Sequence, residues 1–373
     1  MPQTTHHDSD LSQLRRYQRL LLYGGGIAIS IVAAIALALE IIATVRLHIV
    51  SERQAYQVDH SLIMNEIRAS EASIRNGAIS AELVWNERPT TDPAVIAHFR
   101  THQYQILVQP VPTMRPHLLF GVSTRLISDR ELGQYLALAQ QLARSSAIAS
   151  LQRGAQLTGY YFSVDSAVAG LFPAPLPDDP DLPPALENNA RMIDLLRDGL
   201  DEAAQEPQPV PGQLRPLRWL PPAINPLTGR TVVRLAAPAY SDGKPFIVLV
   251  AEYDLDDLTA PLTVDRFDGT FLMISQERQL ITSSAQHAPD HSLVDQVMRS
   301  LVPRTVADGQ REAYKDGIFT ISDRLGDTGW ILLYAFSWRD IANGTHLQIG
   351  AAAGTTGFVL IALWIFIIVF DRH

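Results

Sequence analysis

The sequence predicts an α+β protein in which two membrane helices flank an extracytoplasmic domain. That domain is expected to contain a long N-terminal helix followed by two consecutive modules, each built on an antiparallel sheet. Three observations lead to this prediction. Long apolar runs lie near both ends of the 373-residue chain. Apolar residues then recur at helical spacing through residues 46–84. From residue 157 onward, short strand-like runs are separated by turn signals.

Composition and charge exclude several classes of function. The chain is 47 % apolar and 18 % charged, which is too apolar for a disordered protein. Its formal net charge of −9 gives no basis for a nucleic-acid partner. It contains no cysteine, which excludes disulfides, thiolate zinc sites, iron–sulfur clusters and thiol catalysis.

Two apolar runs are long enough to cross a bilayer. Residues 23–45 contain Glu40 as their one charged residue, and residues 349–370 contain none. At 1.5 Å per residue, each run exceeds the roughly 30 Å hydrocarbon core. The first run is also longer than the roughly 7–15 apolar residues of a signal peptide. We therefore expect an uncleaved membrane anchor at each end.

The basic residues near the two spans predict their orientation. Arg15, Arg16 and Arg19 precede the first span, and Arg372 follows the second. Because basic residues concentrate on the cytoplasmic side, both termini are expected in the cytoplasm. Neither terminal piece is long enough to bury a core, so any function is expected outside or within the membrane.

The organisation expected along the chain has seven segments. They are a cytoplasmic tail (1–22), a first membrane helix (23–45), a long helix with the helical region after it (46–154), a membrane-distal module (155–262), a membrane-proximal module (263–346), a second membrane helix (347–370) and a cytoplasmic end (371–373).

The region before the modules is predicted to be mainly helical. Residues 46–84 continue the first span as a helix, since no proline or glycine interrupts them before Gly77. Residues 86–120 contain prolines and are expected to be irregular, apart from a strand at 104–108. Ser128 and Glu131 form a capping box that opens a helix ending near residue 151.

The two modules are predicted from their alternating runs and turns. Strands are expected at 157–164, 231–237, 245–253, 270–275, 279–283, 317–322 and 330–336. Asp242-Gly243 marks a hairpin turn between two of these strands. Helices are expected at 189–200, 254–262, 291–301 and from 340 onward, with a turn at 276–278 and proline-rich loops at 173–184 and 207–222.

Several separated motifs resemble the double Cache (tandem PAS-like) sensor domain of bacterial transmembrane receptors. Residues 219–230 (WLPPAINPLTGR) resemble that family's W-x-x-P-Y-x-D-x-x-T-G turn, although Ala223 and Asn225 replace its tyrosine and aspartate. Residues 231–240 and 244–258 resemble the hairpin that ends the distal module. Residues 319–341 are similar to the membrane-proximal ending of the family.

The resemblance implies a dimeric receptor of the bacterial inner membrane whose periplasmic domain binds a small molecule in the distal module. Such receptors, sensor histidine kinases among them, normally continue into a cytoplasmic kinase, cyclase or chemoreceptor signalling region. This sequence ends at residue 373 without a phosphoacceptor histidine box, a nucleotide loop or a cyclase motif. We therefore expect a sensing input module with no enzymatic activity and no cofactor.

The candidate ligand-binding residues are polar and aromatic residues of the predicted distal module. They are Tyr160, Tyr161, Arg218, Trp219, Arg234, Tyr240, Tyr253 and Asp254. A charge or an indole inside an apolar cup fixes the orientation of a small ligand. The resemblance places Asp254 where the amino-acid-binding variety has its amine-binding aspartate, but only Arg218-Trp219 matches that variety's R-x-W-Y sequence. The alternative interpretation is that the aromatic residues pack the core and Asp254 caps a helix.

Other polar groups predict neither a metal site nor a hydrolase. The pairs His98/His102 and His287/His291 have i, i+4 spacing but lack the glutamate of a zinc protease, so solvated histidines are expected. The acidic residues at 178–181 lie among prolines and are expected to form a solvated loop. No G-x-S-x-G nucleophile motif is present.

The second span contains a helix-packing motif. Gly350 and Gly354 have the spacing that lets two membrane helices approach closely, in keeping with a homodimer. A membrane or cytoplasmic signalling partner is also expected. The alternative function is a periplasmic scaffold or assembly protein with two membrane anchors, such as a polysaccharide chain-length regulator. The absence of proline from residues 331–349 and the sheet-rich domain argue against it.

Overall fold

The structure is a computed structural model of the chain. It describes residues 5–125, 128–153, 157–175, 188–210, 213–255, 262, 269–275, 279–284, 295, 297–298 and 309–372. Side chains 5–15, 153 and 284 lie outside this description.

One helix, α1 (Thr5–Glu87), contains both the first apolar run and the predicted long helix. No proline lies within it, so no backbone hydrogen bond is lost along its length. Its buried side chains contact two different cores. Tyr56, Ile63 and Ile67 pack into the core of the membrane-proximal module. Ile74 and Ala78, about two and three turns further along, pack into the core of the distal module.

The distal module is built on a seven-stranded antiparallel sheet with the order β1-β2-β4-β3-β7-β6-β5. Its strands are β1 (Gln105–Val108), β2 (His117–Gly121), β3 (Thr158–Ser163), β4 (Val168–Phe172), β5 (Arg218–Ile224), β6 (Thr231–Ser241) and β7 (Lys244–Asp254). The predicted β6–β7 hairpin is present. Asp242 and Gly243 have φ values of 52° and 79°, as a tight hairpin turn requires.

Helices cover both faces of this sheet. Helix α2 (Pro93–Thr101) and helix α3 (Asp129–Arg153) lie on the same face as α1. The Ser128 hydroxyl accepts a hydrogen bond of 3.2 Å from the Glu131 amide, which confirms part of the predicted cap. Helix α4 (Asn189–Arg197) and helix α5 (Asp201–Gln205) cover the opposite face, which we call the α4 face.

The proximal module contains a five-stranded antiparallel sheet with the order β10-β11-β12-β8-β9. Its strands are β8 (Thr270–Ser275), β9 (Leu280–Ser284), β10 (Arg311–Lys315), β11 (Ile318–Arg324) and β12 (Trp330–Ser337). Helix α6 (Trp338–Arg372) follows directly and contains the second apolar run. The predicted α+β fold, with a long helix and two antiparallel sheets, is confirmed.

The structure differs from the predicted elements in several places. The strand predicted at 104–108 is present as β1, but the rest of residues 86–120 is not irregular, because it also contains α2 and β2. The distal sheet thus includes strands from the 46–154 segment. Strand β5 occupies part of the predicted loop at 207–222. It tolerates Pro221 and Pro222 because it is an edge strand, and its register shifts there. Strands β4 and β10 were not predicted.

Some predicted elements lie wholly or mainly outside the described residues. These are most of the 173–184 loop, the 254–262 helix, the 276–278 turn, the 291–301 helix, the acidic cluster at 178–181 and the pair His287/His291.

Two described helices, α1 and α6, are long and apolar enough to cross a membrane. They pack against each other, with the Trp364 indole donating a hydrogen bond of 3.1 Å to Ser30 Oγ. Gly26 lies at this contact, where a Cβ atom would come within 2.5 Å of Ile367 Cδ1. Gly350 and Gly354 have open space around them, so the predicted packing motif forms no helix contact within the chain.

Candidate ligand-binding site

Side chains along β3 point alternately to the two faces of the sheet, which separates two of the predicted ligand residues. Tyr160 is buried on the α4 face of the distal sheet, whereas Tyr161 is buried on the face that α1 and α3 cover. Neighbouring residues of a strand point to opposite faces. The structure therefore places these two predicted ligand residues on opposite faces of the sheet rather than together.

A polar cluster lies on the α4 face around Glu252. In the register of the sheet, Glu252 of β7 lies between Thr158 of β3 and Arg234 of β6. The Asn225 amide donates a hydrogen bond of 2.7 Å to Glu252 Oε2. Tyr160 lies on the same face and is hydrogen-bonded to Arg234. The sheet thus brings together two predicted residues, Tyr160 and Arg234, with a carboxylate that the sequence analysis missed.

The turn between β5 and β6 holds Asn225 in place. Its side-chain oxygen accepts hydrogen bonds of 2.7 Å and 3.0 Å from the backbone amides of Leu227 and Thr228. Gly229 completes the turn with a φ of +67°, a conformation that a side chain would disfavour. The Asn225 oxygen is used within the turn, so its amide nitrogen is directed to Glu252.

Burial sets the protonation of this cluster. It raises the pKa of Glu252 to about 7, because the loss of water outweighs the favourable charge of Arg234 and the hydrogen bond from Asn225. The carboxyl group therefore exchanges a proton near neutral pH. Arg234 also donates a hydrogen bond of 3.0 Å to the Asp198 carbonyl, which ties the cluster to the end of α4.

A cavity of about 180 Å³ opens beside Glu252. Its polar lining comes from Arg115, Thr158, Asn225, Thr228 and Glu252, and its apolar lining includes Leu171, Phe172 and Leu227. Arg115 donates a hydrogen bond of 2.9 Å to the Ala174 carbonyl, while its buried Nε has no hydrogen-bond partner among the described residues. The cavity is smaller than the roughly 300–1,000 Å³ of pockets for drug-sized ligands, so it suits a small solute.

A larger cavity, of about 470 Å³, lies on the opposite face of the sheet between α1 and α3. Its lining contains alanine and serine residues of both helices, together with Tyr253, and no charged side chain. Tyr253, a predicted ligand residue, therefore lies across the sheet from Glu252.

Arg218 and Trp219 are used in contacts within the fold. Arg218 forms ion pairs with Glu202 and Glu206, which hold α5 against β5. The Trp219 indole donates a hydrogen bond of 3.1 Å to Glu71 of α1. Its ring also meets Trp330 of the proximal module at a centroid distance of 5.0 Å. Trp219 thus lies at the junction of the two modules rather than at the Glu252 cavity.

Tyr240 and Asp254 lie at opposite ends of the β6–β7 pair. The Tyr240 hydroxyl donates to the Pro207 carbonyl at 3.2 Å, and Arg215 lies over its ring. Asp254 forms an ion pair of 3.1 Å with Arg230. Neither residue lines the Glu252 cavity.

The sequence analysis did not identify four residues of the Glu252 cavity as candidate ligand residues: Arg115, Thr158, Asn225 and Glu252 itself. The signal for Glu252 was its strand position, because it follows Val248 and Val250 on the buried face of a strand. Arg115 gave no such signal, since it lies in a connection between strands. The His98 and His102 rings lie against each other at an interplanar angle of 35°. Among the described residues, no group of three side chains could hold a metal ion.

Comparisons with known proteins give matches among solved structures. The ligand-binding domain of the Pseudomonas fluorescens chemoreceptor CtaA in complex with L-isoleucine is 16 % identical, covering 77 % of this chain and 91 % of that one, with a TM-score of 0.39. The ligand-binding domain of the Pseudomonas aeruginosa PAO1 amino acid chemoreceptor PctB in complex with L-Arg is 17 % identical. The match covers 83 % of this chain and 97 % of that one, with a TM-score of 0.41. The isoleucine-bound sensory domain of the Campylobacter jejuni chemoreceptor Tlp3 is 13 % identical. The match covers 74 % of this chain and 96 % of that one, with a TM-score of 0.36. No family model and no curated protein matches the chain.

Proposed function

We propose that this chain is the input module of a two-pass receptor of the bacterial inner membrane, of the double Cache type, that binds a small polar solute in its distal module. The domain between α1 and α6 is the periplasmic part, and both termini are cytoplasmic. Output passes to a sensor-kinase-like or other cytoplasmic signalling partner, and the chain itself is not an enzyme.

The Glu252 cavity is the observation that carries this proposal. A carboxyl group with a pKa near 7, a guanidinium and an amide meet at one small cavity on a sheet face. Pockets that combine an apolar lining with a few convergent polar groups are typical of ligand sites. The cluster provides an acceptor for a ligand amine or hydroxyl and a donor, Arg115, for a ligand carboxylate or carbonyl.

The long helix provides a route from this cavity to the membrane. Helix α1 packs against the distal sheet and the proximal sheet, and it contains the first apolar run without a break. A ligand that favours one arrangement of the distal sheet would therefore bias the position of α1 relative to α6.

A thermal-shift screen of the full chain in detergent tests the proposal. The probes are amino acids, carboxylates, amines and polyamines at millimolar concentration. A solute that binds only the folded state raises the melting temperature by mass action. We expect a hit whose shift is lost in Glu252→Gln and in Arg115→Gln but is retained in Asp254→Asn, which changes an acid outside the cavity.

Two results would contradict this assignment. Loss of the shift in Asp254→Asn alone would move the site to the end of β7. Absence of a shift with every probe, for a chain that unfolds cooperatively, would favour the scaffold or assembly function over solute sensing.

A further inference from the structure

The larger cavity of the distal module, which we call the α1–α3 cavity, differs from the Glu252 cavity in position and size. It opens on the face of the sheet that α1 and α3 cover, whereas Glu252 lies on the α4 face. Its volume is about 470 Å³, against about 180 Å³ beside Glu252. The larger value falls within the roughly 300–1,000 Å³ of pockets that hold drug-sized ligands.

Part of the lining of the α1–α3 cavity is apolar and buried. Ile74 of α1, Leu142 of α3 and Leu249 of β7 line the cavity and belong to the core of the distal module. Phe172 and Tyr253 add two aromatic side chains to this lining. An apolar group that enters the cavity loses its contact with water and removes water from these side chains, which favours its binding.

The two helices add uncharged hydrogen-bonding groups to this lining. Ser73 and Ser80 of α1 and Ser145 of α3 line the cavity, and all three side chains are half-buried. None of these three hydroxyls forms a hydrogen bond within the part of the chain that the structure describes. A serine hydroxyl of a helix commonly bonds the carbonyl four residues back, as Ser61 does with Gln57 at 2.7 Å. The serine hydroxyls of the cavity are therefore available to a ligand as donors and acceptors.

The charge of the lining separates the two cavities further. Among the described residues, no charged side chain lines the α1–α3 cavity, whereas Glu252 and Arg115 line the smaller one. An ionised group that leaves water without meeting an opposite charge loses much of its solvation free energy. The α1–α3 cavity therefore disfavours ligands with a charge, and the Glu252 cavity can accept them.

We propose that the α1–α3 cavity is a second binding site, for an uncharged amphiphilic small molecule. The apolar body of this ligand packs against the buried aliphatic and aromatic side chains, and its hydroxyl, carbonyl or amide groups bond the serine hydroxyls. This site is separate from the Glu252 site of the proposed function and does not depend on it. Because α1 forms one wall of the cavity, the ligand directly contacts the helix that contains the first apolar run.

Three probes of similar shape and different charge test the chemistry of the site. Each is an indole ring with a two-carbon side chain: tryptophol is neutral, indole-3-acetate is an anion and tryptamine is a cation at neutral pH. In a thermal-shift assay of the full chain in detergent, we expect tryptophol to raise the melting temperature by mass action. Each charged probe should need a roughly ten-fold higher concentration for the same shift, because its charge finds no partner in the cavity. Glu252→Gln should respond to tryptophol as the parent chain does.

Two substitutions that fill the cavity test its location. Ser73→Leu and Ser145→Leu place a larger side chain in the cavity from α1 and from α3, and leucine is a better helix former than serine. We expect each substitution to abolish the tryptophol shift. The control is Ser61→Leu, the same change at an exposed position of α1 outside the cavity, which should retain the shift. Partition of the probe into detergent is the same for all of these chains, so it cannot produce this difference.

Protection of a thiol gives a second measurement, which does not depend on the stability of the fold. The chain contains no cysteine of its own, so Ser145→Cys places a single thiol at the cavity. We expect saturating tryptophol to slow the alkylation of this thiol by N-ethylmaleimide several-fold in membrane vesicles. The alkylation rate of the control Ser61→Cys should be unchanged.

Several outcomes would overturn this proposal. Equal shifts with all three indoles would show that the site does not select an uncharged ligand. A tryptophol shift that survives in both filled variants, or that is lost in Ser61→Leu, would place the binding elsewhere. A parent chain that shows neither a shift nor thiol protection with millimolar tryptophol would exclude the site. Failure of the solute screen at the Glu252 cavity would leave these results unchanged, so the two proposals fail separately.

Discussion

Glu252 occupies a strand position that an apolar residue would normally take. It follows Val248 and Val250 on the α4 face of β7, and burial raises its pKa to about 7. His117 of β2 shows the opposite effect, since burial lowers its pKa to about 4. In both cases the charged form loses water, which disfavours ionisation of an acid and protonation of a base. The two residues therefore affect stability in opposite directions as the pH changes.

The stability of the folded chain should depend on the ionisation of Glu252. Between about pH 4.5 and pH 7 the folded state holds this proton and the unfolded state releases it, so the contribution of Glu252 to stability is lost as the pH rises. Glu252→Gln cannot ionise and should unfold at a higher temperature than the parent at pH 8, by an amount equivalent to about 1–3 kcal/mol. At pH 4.5 the variant and the parent should have the same melting temperature.

Thermal unfolding at the two pH values in the same detergent checks this prediction. A difference between Glu252→Gln and the parent that stays constant with pH would show that Glu252 titrates normally. Asp254→Asn is the matched control, because it removes an acid two residues away outside the cavity.

At the scale of elements, a buried ion pair joins the end of α1 to the distal sheet. Glu82 and Arg215 make two parallel contacts of 2.7 Å and 2.8 Å, and both side chains are largely buried. Glu82 also accepts a hydrogen bond of 2.6 Å from the Tyr240 amide, and Arg215 donates one of 2.6 Å to the Pro238 carbonyl. These hydrogen bonds offset part of the desolvation of both charges and hold α1 against β6, while Arg215 Nε is buried without a hydrogen-bond partner among the described residues.

Removing one partner of this pair should be strongly destabilising. Glu82→Ala leaves the Arg215 charge buried without its carboxylate, and we expect a loss of about 3–5 kcal/mol in the free energy of unfolding. The comparison is Glu312→Ala, which breaks the more exposed Arg53–Glu312 pair between α1 and β10. That change should cost no more than about 1 kcal/mol. Denaturant titration of the purified variants measures both values, and equal losses would contradict the distinction.

At the scale of the whole molecule, the two modules approach each other around Trp219. Its ring packs edge to face against Trp330 of β12, and its indole nitrogen donates a hydrogen bond to Glu71 of α1. Val233 of the distal sheet is buried in the same core as α1 residues and Trp330. The distal sheet, α1 and the proximal sheet therefore share one set of packed side chains at this point.

The Trp219–Trp330 contact should be measurable as a coupling energy. We expect a double-mutant cycle of Trp219→Leu and Trp330→Leu to give an interaction of about 0.5–1.5 kcal/mol, the range for aromatic pairs of this geometry. Unfolding free energies of the four chains provide the measurement. Additive losses would show that the two modules are stabilised independently at this point.

The sequence by itself determined the elements whose signals are local. Apolar length predicted both candidate membrane helices, and the spacing of apolar residues predicted the long helix. The Asp242-Gly243 turn and its flanking alternation predicted the β6–β7 hairpin. These features depend on the properties of residues close together in the chain, which is why they could be derived without a structure.

The tertiary structure alone decided which distant residues meet. It added β1, β2 and β4 to the distal sheet and placed the proline-containing β5 at its edge. It joined Glu252, Arg115 and Asn225 at one cavity, while Trp219 and Asp254 took other partners. Strand order and register determine which of these residues are in contact. Both depend on packing between segments far apart in sequence, and no local sequence pattern encodes that packing.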